Sequence, residues 1–289
     1  MKIKESELIL NPDGSIYHLN LLPENISNTI LFVGDQYRVE KITKHFDSIE
    51  FETQKREFKT QTGYYKGKRI TVISTGIGPD NIDIVLNEID ALVNIDLKTR
   101  EIKEKHTKLN IIRVGTSGSI QKDIPVDSIV MGTHGLDLNG MLHYYQLDGI
   151  GDPQFEEALM KHTNWNDKKA QPILIENSKE LEKRFESDTI FKGITATAGG
   201  FYGPQGRVLR IPVEDPNLNN KFDTFNFNGN RITNFEMETS AIYALSKLLG
   251  HEALSLNVII ANRADGTFSK DHKKAIENLI VYVLDKLAC

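Results

Sequence analysis

The stretch Ile111-Ile-Arg-Val-Gly-Thr-Ser-Gly-Ser-Ile120 decides how the rest of the chain is read. It begins as a buried strand and reads as ending in a small-residue turn. Ile111, Ile112 and Val114 are apolar, and Arg113 interrupts them; a guanidinium is not buried there without an anionic partner. Gly115 and Gly118 would let backbone N–H groups approach a ligand, and Thr116 and Ser117 add hydroxyls. Alone, the segment fits equally a strand and tight turn whose arginine snorkels to a surface carboxylate.

Working outward, Thr29-Ile-Leu-Phe-Val33 is another short apolar strand. Gly34-Asp35-Gln36-Tyr37-Arg38 follows it, then Val39, Ile42 and Phe46 at helical spacing. Strand, turn and helix N-terminus is a common anion-binding arrangement, although neither a Walker loop nor a G-x-G-x-x-G fingerprint is present. Strands are expected from Phe51 to Thr75, with a hairpin turn at Tyr65-Lys-Gly-Lys68 and Arg56-Glu57 inside the first of them. After Gly76-Ile-Gly78, Ile82, Val85, Leu86, Ile89, Leu92 and Val93 mark a helix. The charge-rich run 96–108 reads as a solvated extension. Further strands are expected over 127–133, 191–198 and 254–261, and helices over 155–162, 178–185, 237–249 and 275–287; residues 134–153 read as loop. Strands alternating with helices, without a Pro- or Gly-rich linker or a repeat, imply one α/β domain over 29–289. Its centre would be a mixed sheet flanked by helices, preceded by a polar arm, residues 1–28.

The 289 residues are 39% hydrophobic and 26% charged, the composition of a soluble globular protein. A net charge of −5 argues against a nucleic-acid or anionic-membrane surface, so anion binding has to come from local arginines. No uncharged apolar run approaches the ~18 residues of a membrane helix, and the first residues lack the apolar core of a signal peptide. A cytoplasmic protein is expected. The one cysteine, Cys289, leaves no intrachain disulfide and no thiolate metal site, and no metal is expected.

Three more segments place polar groups just past buried strands, where open α/β sheets bind ligands. In Gly199-Gly-Phe-Tyr-Gly-Pro-Gln-Gly-Arg207, Phe201 and Tyr202 offer a flat wall, Gln205 an amide and Arg207 a planar fork. Such a set suits a heterocycle with alternating carbonyl and N–H groups, such as a pyrimidinedione; the alternative is a Gly/Pro-rich surface loop. Asn234-Phe-Glu-Met-Glu238 brings carboxylates to a strand-to-helix junction, where they cap the helix dipole or accept hydrogen bonds from a vicinal diol such as ribose. Ala261-Asn-Arg-Ala-Asp265 sets Arg263 at the sheet's edge.

Taken together, Gly34-Asp35…Arg38, Arg56-Glu57-Phe58, Ser74-Thr-Gly-Ile-Gly78, Arg113-Val-Gly-Thr-Ser-Gly118, Phe201-Tyr…Gln205-Gly-Arg207, Glu236-Met-Glu238 and Asn262-Arg263 resemble the uridine phosphorylases of the nucleoside phosphorylase family. The resemblance runs in order from about residue 17 to the end, excepting 96–108. It implies a pentosyltransferase splitting uridine with inorganic phosphate into uracil and ribose 1-phosphate. Gly34, Arg38, Arg113 and Thr116 would hold phosphate, with Arg56 from a neighbouring subunit. Met237 and Glu238 would bind ribose, with the neighbour's His18 at its 5′-hydroxyl. Gln205 and Arg207 would read the base, Arg263 would assist, and Ser117, Gly118, Phe201 and Ile260 would line the pocket. The shared sites imply a homo-oligomer, a dimer or a hexamer of dimers, and the arm would reach a neighbouring subunit. Two departures stand out: Gln36-Tyr37 follows Gly34-Asp35 where the family usually has proline, and Asn81 stands where some members use a serine, with a glutamate matching Glu57, to hold an intersubunit potassium ion. The competing readings are a purine nucleoside phosphorylase, whose acid would have to be the displaced Asp265, and a nucleoside-binding protein without turnover.

Overall fold

The computed structural model describes residues 2–288, so Cys289 lies outside the described residues. The chain runs β1 (Thr29–Val33), α1 (Gln36–Thr43), β2 (Ser48–Lys55), β3 (Phe58–Tyr65), β4 (Lys68–Ser74) and α2 (Pro79–Asn94). Then come β5 (Ile95–Asp96), β6 (Glu101–Ile102), β7 (Asn110–Ser119), β8 (Ile129–Asp137), α3 (Pro153–Thr163), β9 (Ile173–Glu176) and α4 (Lys179–Phe185). The last part holds β10 (Phe191–Thr197), α5 (Leu218–Thr224), β11 (Asn226–Phe227), β12 (Asn230–Glu236), α6 (Thr239–Leu249), β13 (Glu252–Asn262), β14 (Thr267–Phe268) and α7 (His272–Ala288). One mixed sheet has the order β11-β12-β10-β8-β13-β7-β1-β4-β3-β2. β12 also pairs antiparallel with β7, Phe235 opposite Gly118, so β7, β13, β8, β10 and β12 close into a ring. The α/β reading with a central mixed sheet holds.

Burial explains the layers. The sheet's centre is apolar on both faces: Ile111, with α2 and α6, packs in one core, and Ile112 and Val114, with α1 and α7, in another. α3 and α5 cover a third cluster around Phe222 and Phe235. Helix ends follow local chemistry. Asp35 accepts the Tyr37 N–H at 3.0 Å to cap α1, and Gly250, in the left-handed conformation, stops α6 as expected. The Lys66-Gly67 hairpin turn has positive φ at both residues, the primed geometry that suits twisted strands.

Several expectations are corrected. The stretch 111–120 contains no turn: β7 runs on to Ser119, because its small residues pair with β13 on one side and β12 on the other. Arg56-Glu57 is not inside a strand; it forms the turn between β2 and β3, with Arg56 at φ 54°. The run 96–108 holds β6 and the second residue of β5, which pair as a small hairpin, and β8 extends four residues into the expected loop. Met237 and Glu238 precede α6 and do not belong to it. No periodicity announces β9, α5 or β11, which are short and packed through single residues such as Phe222.

The N-terminal arm differs most. Its apolar residues follow neither helical nor strand spacing, yet Ile16, Leu19 and Leu21 are fully buried against α2 and the sheet. Glu88 of α2 accepts the backbone N–H groups of His18 and Leu19 at 2.9–3.0 Å, and Lys55 donates to Asn11 at 3.0 Å. The arm is part of the core. Leu19→Ala should therefore cost about 2–5 kcal/mol in chemical denaturation; a change below ~0.5 kcal/mol would mark the arm as peripheral.

Candidate active site

A cleft of about 770 Å³ opens where the ends of β1, β7, β12 and β13 meet the loops after β4 and β10. Gly34, Arg38, Arg113, Thr116, Ser117, Gly118, Phe201, Gln205, Arg207, Met237, Glu238 and Ile260 all line it. Residues from five distant segments thus meet in one cavity. His18, Arg56 and Arg263 are not on its wall.

Arg113 is the centre of this site. Side chains at i and i+2 share a strand face, so Arg113 stands over Gly115. A Cβ there would overlap Arg113 Nη1 and lie 2.5 Å from Asn257 Oδ1. Gly115 is therefore required by the arginine rather than by a ligand's approach. Nη1 donates to Asn257 Oδ1 and Nη2 to Glu238 Oε2, with Glu236 Oε2 at 3.4 Å. Burial opposes the charge, but Glu238 and Glu236 outweigh it and hold the guanidinium above its ordinary pKa. Glu236 is itself fixed by the N–H groups of Glu238 and Thr239 at the start of α6 and by the Thr197 hydroxyl at 2.7 Å. Burial pushes its carboxyl upward against the pull of Arg113. Glu238 Oε1 accepts the Gly78 N–H at 2.9 Å, which ties the turn before α2 to the site. In the sequence Glu236 stood among the junction carboxylates without a role of its own, and Asn257 was not singled out. The signal for Asn257 was a lone amide in the apolar run Leu254–Ala261.

At one end of the cleft Arg38 reaches in from α1. It is 9% exposed, donates to the Val114 carbonyl at 3.2 Å, and has no hydrogen-bond partner for Nε. It forms no ion pair among the described residues; burial and the nearby Arg113 push it down to about 10. A buried cation with unused donors, beside Gly34 and the N-terminus of α1, is built for an anion. At the other end Arg207 lies 3.7 Å from the Phe201 ring centroid and donates to the Phe201 carbonyl at 2.6 Å and Gln205 Oε1 at 2.7 Å. Arg263 stands behind Gln205 and donates to its Oε1 at 2.8 Å. Ile260 is the extra residue of a bulge in β13, which turns it into the cleft. Phe268, exposed on β14, adds an apolar rim that the sequence did not single out.

His18 and Arg56 lie off the cleft wall. His18 Nδ1 is 2.6 Å from Glu88 Oε1, and its ring packs 6.4 Å from Phe58, two residues beyond the exposed Arg56. On the cleft wall, Asn81 directs an amide donor at Glu57 Oε1, 3.4 Å away.

Residues 28–287 match the phosphorylase superfamily. The chain belongs to that superfamily. It is 29% identical over 279 residues to the uridine phosphorylase of Thermococcus kodakarensis, covering 94% of this chain and 87% of that protein. It is 27% identical over 271 residues to a DeoD-type purine nucleoside phosphorylase of Shewanella oneidensis, covering 93% and 96%. Among solved structures, a Trypanosoma brucei nucleoside phosphorylase described as showing uridine phosphorylase activity superposes with a TM-score of 0.87 at 30% identity, covering 97% of this chain and 99% of that one. The fold is that of the nucleoside phosphorylases, and the chain is a pentosyltransferase of that type.

Gly115→Ala tests the central arginine. Displacing the Arg113 guanidinium by about 1 Å should lower kcat/KM by about 100-fold, measured in a phosphorolysis assay on protein shown to be folded. Unchanged turnover would mean that Arg113 does not need this position.

Proposed function

We propose that this protein is a uridine phosphorylase, converting uridine and inorganic phosphate to uracil and ribose 1-phosphate in cytoplasmic pyrimidine salvage. The observation that carries this reading is the base end: Gln205, Arg207 and Arg263 in one hydrogen-bonded group beside Phe201. The relatives of that name support it. The purine reading needs an acid at the base, and Asp265 does not serve: it is bound to Thr267 at 2.7–2.9 Å and does not line the cleft.

The chemistry follows the cleft's length. Phosphate sits on Arg38, Gly34 and Thr116, with Arg113 between it and the sugar. Glu238 accepts from the ribose hydroxyls, and Met237 packs beneath the ring. Phosphate oxygen then bonds to C1′ as the bond from C1′ to the base nitrogen breaks, its electron pair leaving with the base. The arginines orient the nucleophile and offset charge, so rate comes from positioning and electrostatics without a covalent enzyme intermediate. Glu238 has to share or exchange its contact with Arg113 when ribose binds, since its Oε2 is engaged there.

The arm and the β2–β3 turn extend this reading to assembly. His18, on the arm, and Arg56, on the β2–β3 turn, both lie off the wall of the chain's own cleft. We place both against the cleft of a second copy in a two-fold dimer, with Arg56 toward phosphate and His18 toward the ribose 5′-hydroxyl.

Uridine should be cleaved far faster than inosine or cytidine, and only with phosphate present. Arg207→Ala should slow uridine cleavage at least tenfold, since removing a charged partner costs about 1.5–3 kcal/mol. Faster cleavage of inosine would give the purine reading, and full-rate cleavage without phosphate a hydrolase. Assembly is tested by mixing two inactive variants, Arg56→Ala and Glu238→Ala. After subunit exchange is confirmed, part of the activity should return, because one site of each mixed dimer carries neither change. No recovery, or an active monomer in sedimentation, refutes the shared site.

A further inference from the structure

Gln36 opens α1 on the wall of the cleft, between Gly34 and Arg38 in the chain. Its amide is oriented from behind. Gln54, near the end of the edge strand β2, donates its Nε2 to Gln36 Oε1 at 2.8 Å and to the Arg56 carbonyl at 3.4 Å. A carbonyl only accepts, so the end of Gln54 that meets both is its NH₂, and the atom that Gln36 turns to it is the oxygen. The Gln36 NH₂ is thereby turned away from Gln54, and it makes no hydrogen bond among the described residues. A second donor stands beside it. Of the first N–H groups of α1, that of Tyr37 goes to the Asp35 carboxylate at 3.0 Å and that of Arg38 to the Asp35 carbonyl at 2.9 Å. The Gln36 N–H has no partner among the described residues.

Both donors share the wall with Arg38, which is 9% exposed and whose Nε lacks a partner. A helix N-terminus and a buried cation with an unused donor call for the same kind of ligand, an anion. The carboxylate of Asp35 is engaged as the cap of α1. Phosphate offers acceptor oxygens to every N–H that reaches it, and hydrogen bonds to a charged acceptor are the strong kind. Fixing a glutamine in one rotamer costs conformational entropy. The contact with Gln54 removes part of that cost before the anion arrives.

We propose that Gln36 binds phosphate through its side-chain NH₂ and its backbone N–H, and that Gln54 is the positioning residue that keeps this amide donor-outward. The inference rests on the phosphorolysis reading and adds a neutral double donor to the arginines of its anion end. A neutral donor does here what a further arginine would not. It holds phosphate without deepening the repulsion from Arg113 that, after burial, already lowers the pKa of Arg38. The same contacts hold the phosphate group of ribose 1-phosphate in the reverse direction. They therefore act on binding from both sides and not on the transition state alone.

The test is steady-state kinetics of uridine cleavage by the intact protein and its variants, with phosphate and uridine varied in turn. Gln36→Ala keeps the N–H and loses the amide. Its phosphate KM should rise about tenfold, as for a lost hydrogen bond to a charged acceptor. Its kcat at saturating phosphate and its uridine KM should change by no more than about twofold. Gln36→Pro loses both donors, and proline is tolerated at the first position of a helix after an extended residue such as Asp35. Its phosphate KM should rise by roughly a further fivefold. Gln54→Ala frees the amide to turn and should raise the phosphate KM about threefold. Combined with Gln36→Ala it should add nothing, whereas independent structural losses would add. The KM of ribose 1-phosphate in the reverse reaction should follow that of phosphate. A phosphate KM within about twofold of wild type in Gln36→Ala, or equal rises for phosphate and uridine, overturns the proposal. Gln36→Pro no weaker than Gln36→Ala removes the N–H from it, and additive losses in the double variant remove Gln54. If Gln36→Pro does not fold, Gln36→Ala decides. Uridine cleavage by the wild type that needs no phosphate overturns the phosphorolysis reading itself.

Discussion

A guanidinium buried in a central strand is the constraint on which the site depends. Arg113 lies between two apolar layers, and its charge is tolerable there only because Glu238, Glu236 and Asn257 converge on it. Each of those partners has to be held in turn. Glu236 is fixed by the first N–H groups of α6, Glu238 by the Gly78 N–H, and Asn257 stands opposite Gly115 in the register of β13 on β7. One cation thus ties the turn before α2, the start of α6 and two neighbouring strands into a single network. The cost of burying polar groups is met by near-complete satisfaction, which also makes the network intolerant of slack.

The two ends of the cleft solve opposite problems. Around Arg113 positive and negative groups are matched, leaving a shaped polar floor. At Arg38, and again at Arg207 and Arg263, the cations have no carboxylate partner among the described residues. A chain with a net charge of −5 thus sets guanidiniums without a carboxylate partner at both ends of one cavity. That separation fits a reaction in which an anion arrives at one end and another departs at the other.

Much of this was legible in the sequence, and the limits have physical causes. The cleft-lining segments were readable because each breaks an apolar strand with chemistry that has no packing use: Arg113 among isoleucines, Gln205 and Arg207 after two aromatics, Glu236 and Glu238 before a helix. The sheet was readable from its apolar runs. The course of β7 through Gly115 and Gly118 was not, because small residues that look like a turn are here the concession to a folded-back arginine and to a second neighbouring strand. The arm was misread because Ile16, Leu19 and Leu21 are buried by a chain path without period, held through Glu88 seventy residues away. The place of Arg263 behind Gln205, off the wall, depends on a bulge in β13 that carries no residue signature.

The ring made by β7, β13, β8, β10 and β12 separates the floor of the cleft from its rim. The floor has no free strand edge and is braced on every side, so substitutions there disturb the whole ring. The rim after β10 is different: its Phe201–Arg207 loop leads into a segment without regular structure, in which Leu209 and Ile211, off the cleft wall, are 76% and 79% exposed. Mutations in that segment leave the ring's hydrogen bonds untouched. Selection can therefore rewrite what the rim recognises while the sugar and phosphate machinery is inherited intact. A fold divided in this way can diversify its leaving groups without rediscovering its chemistry.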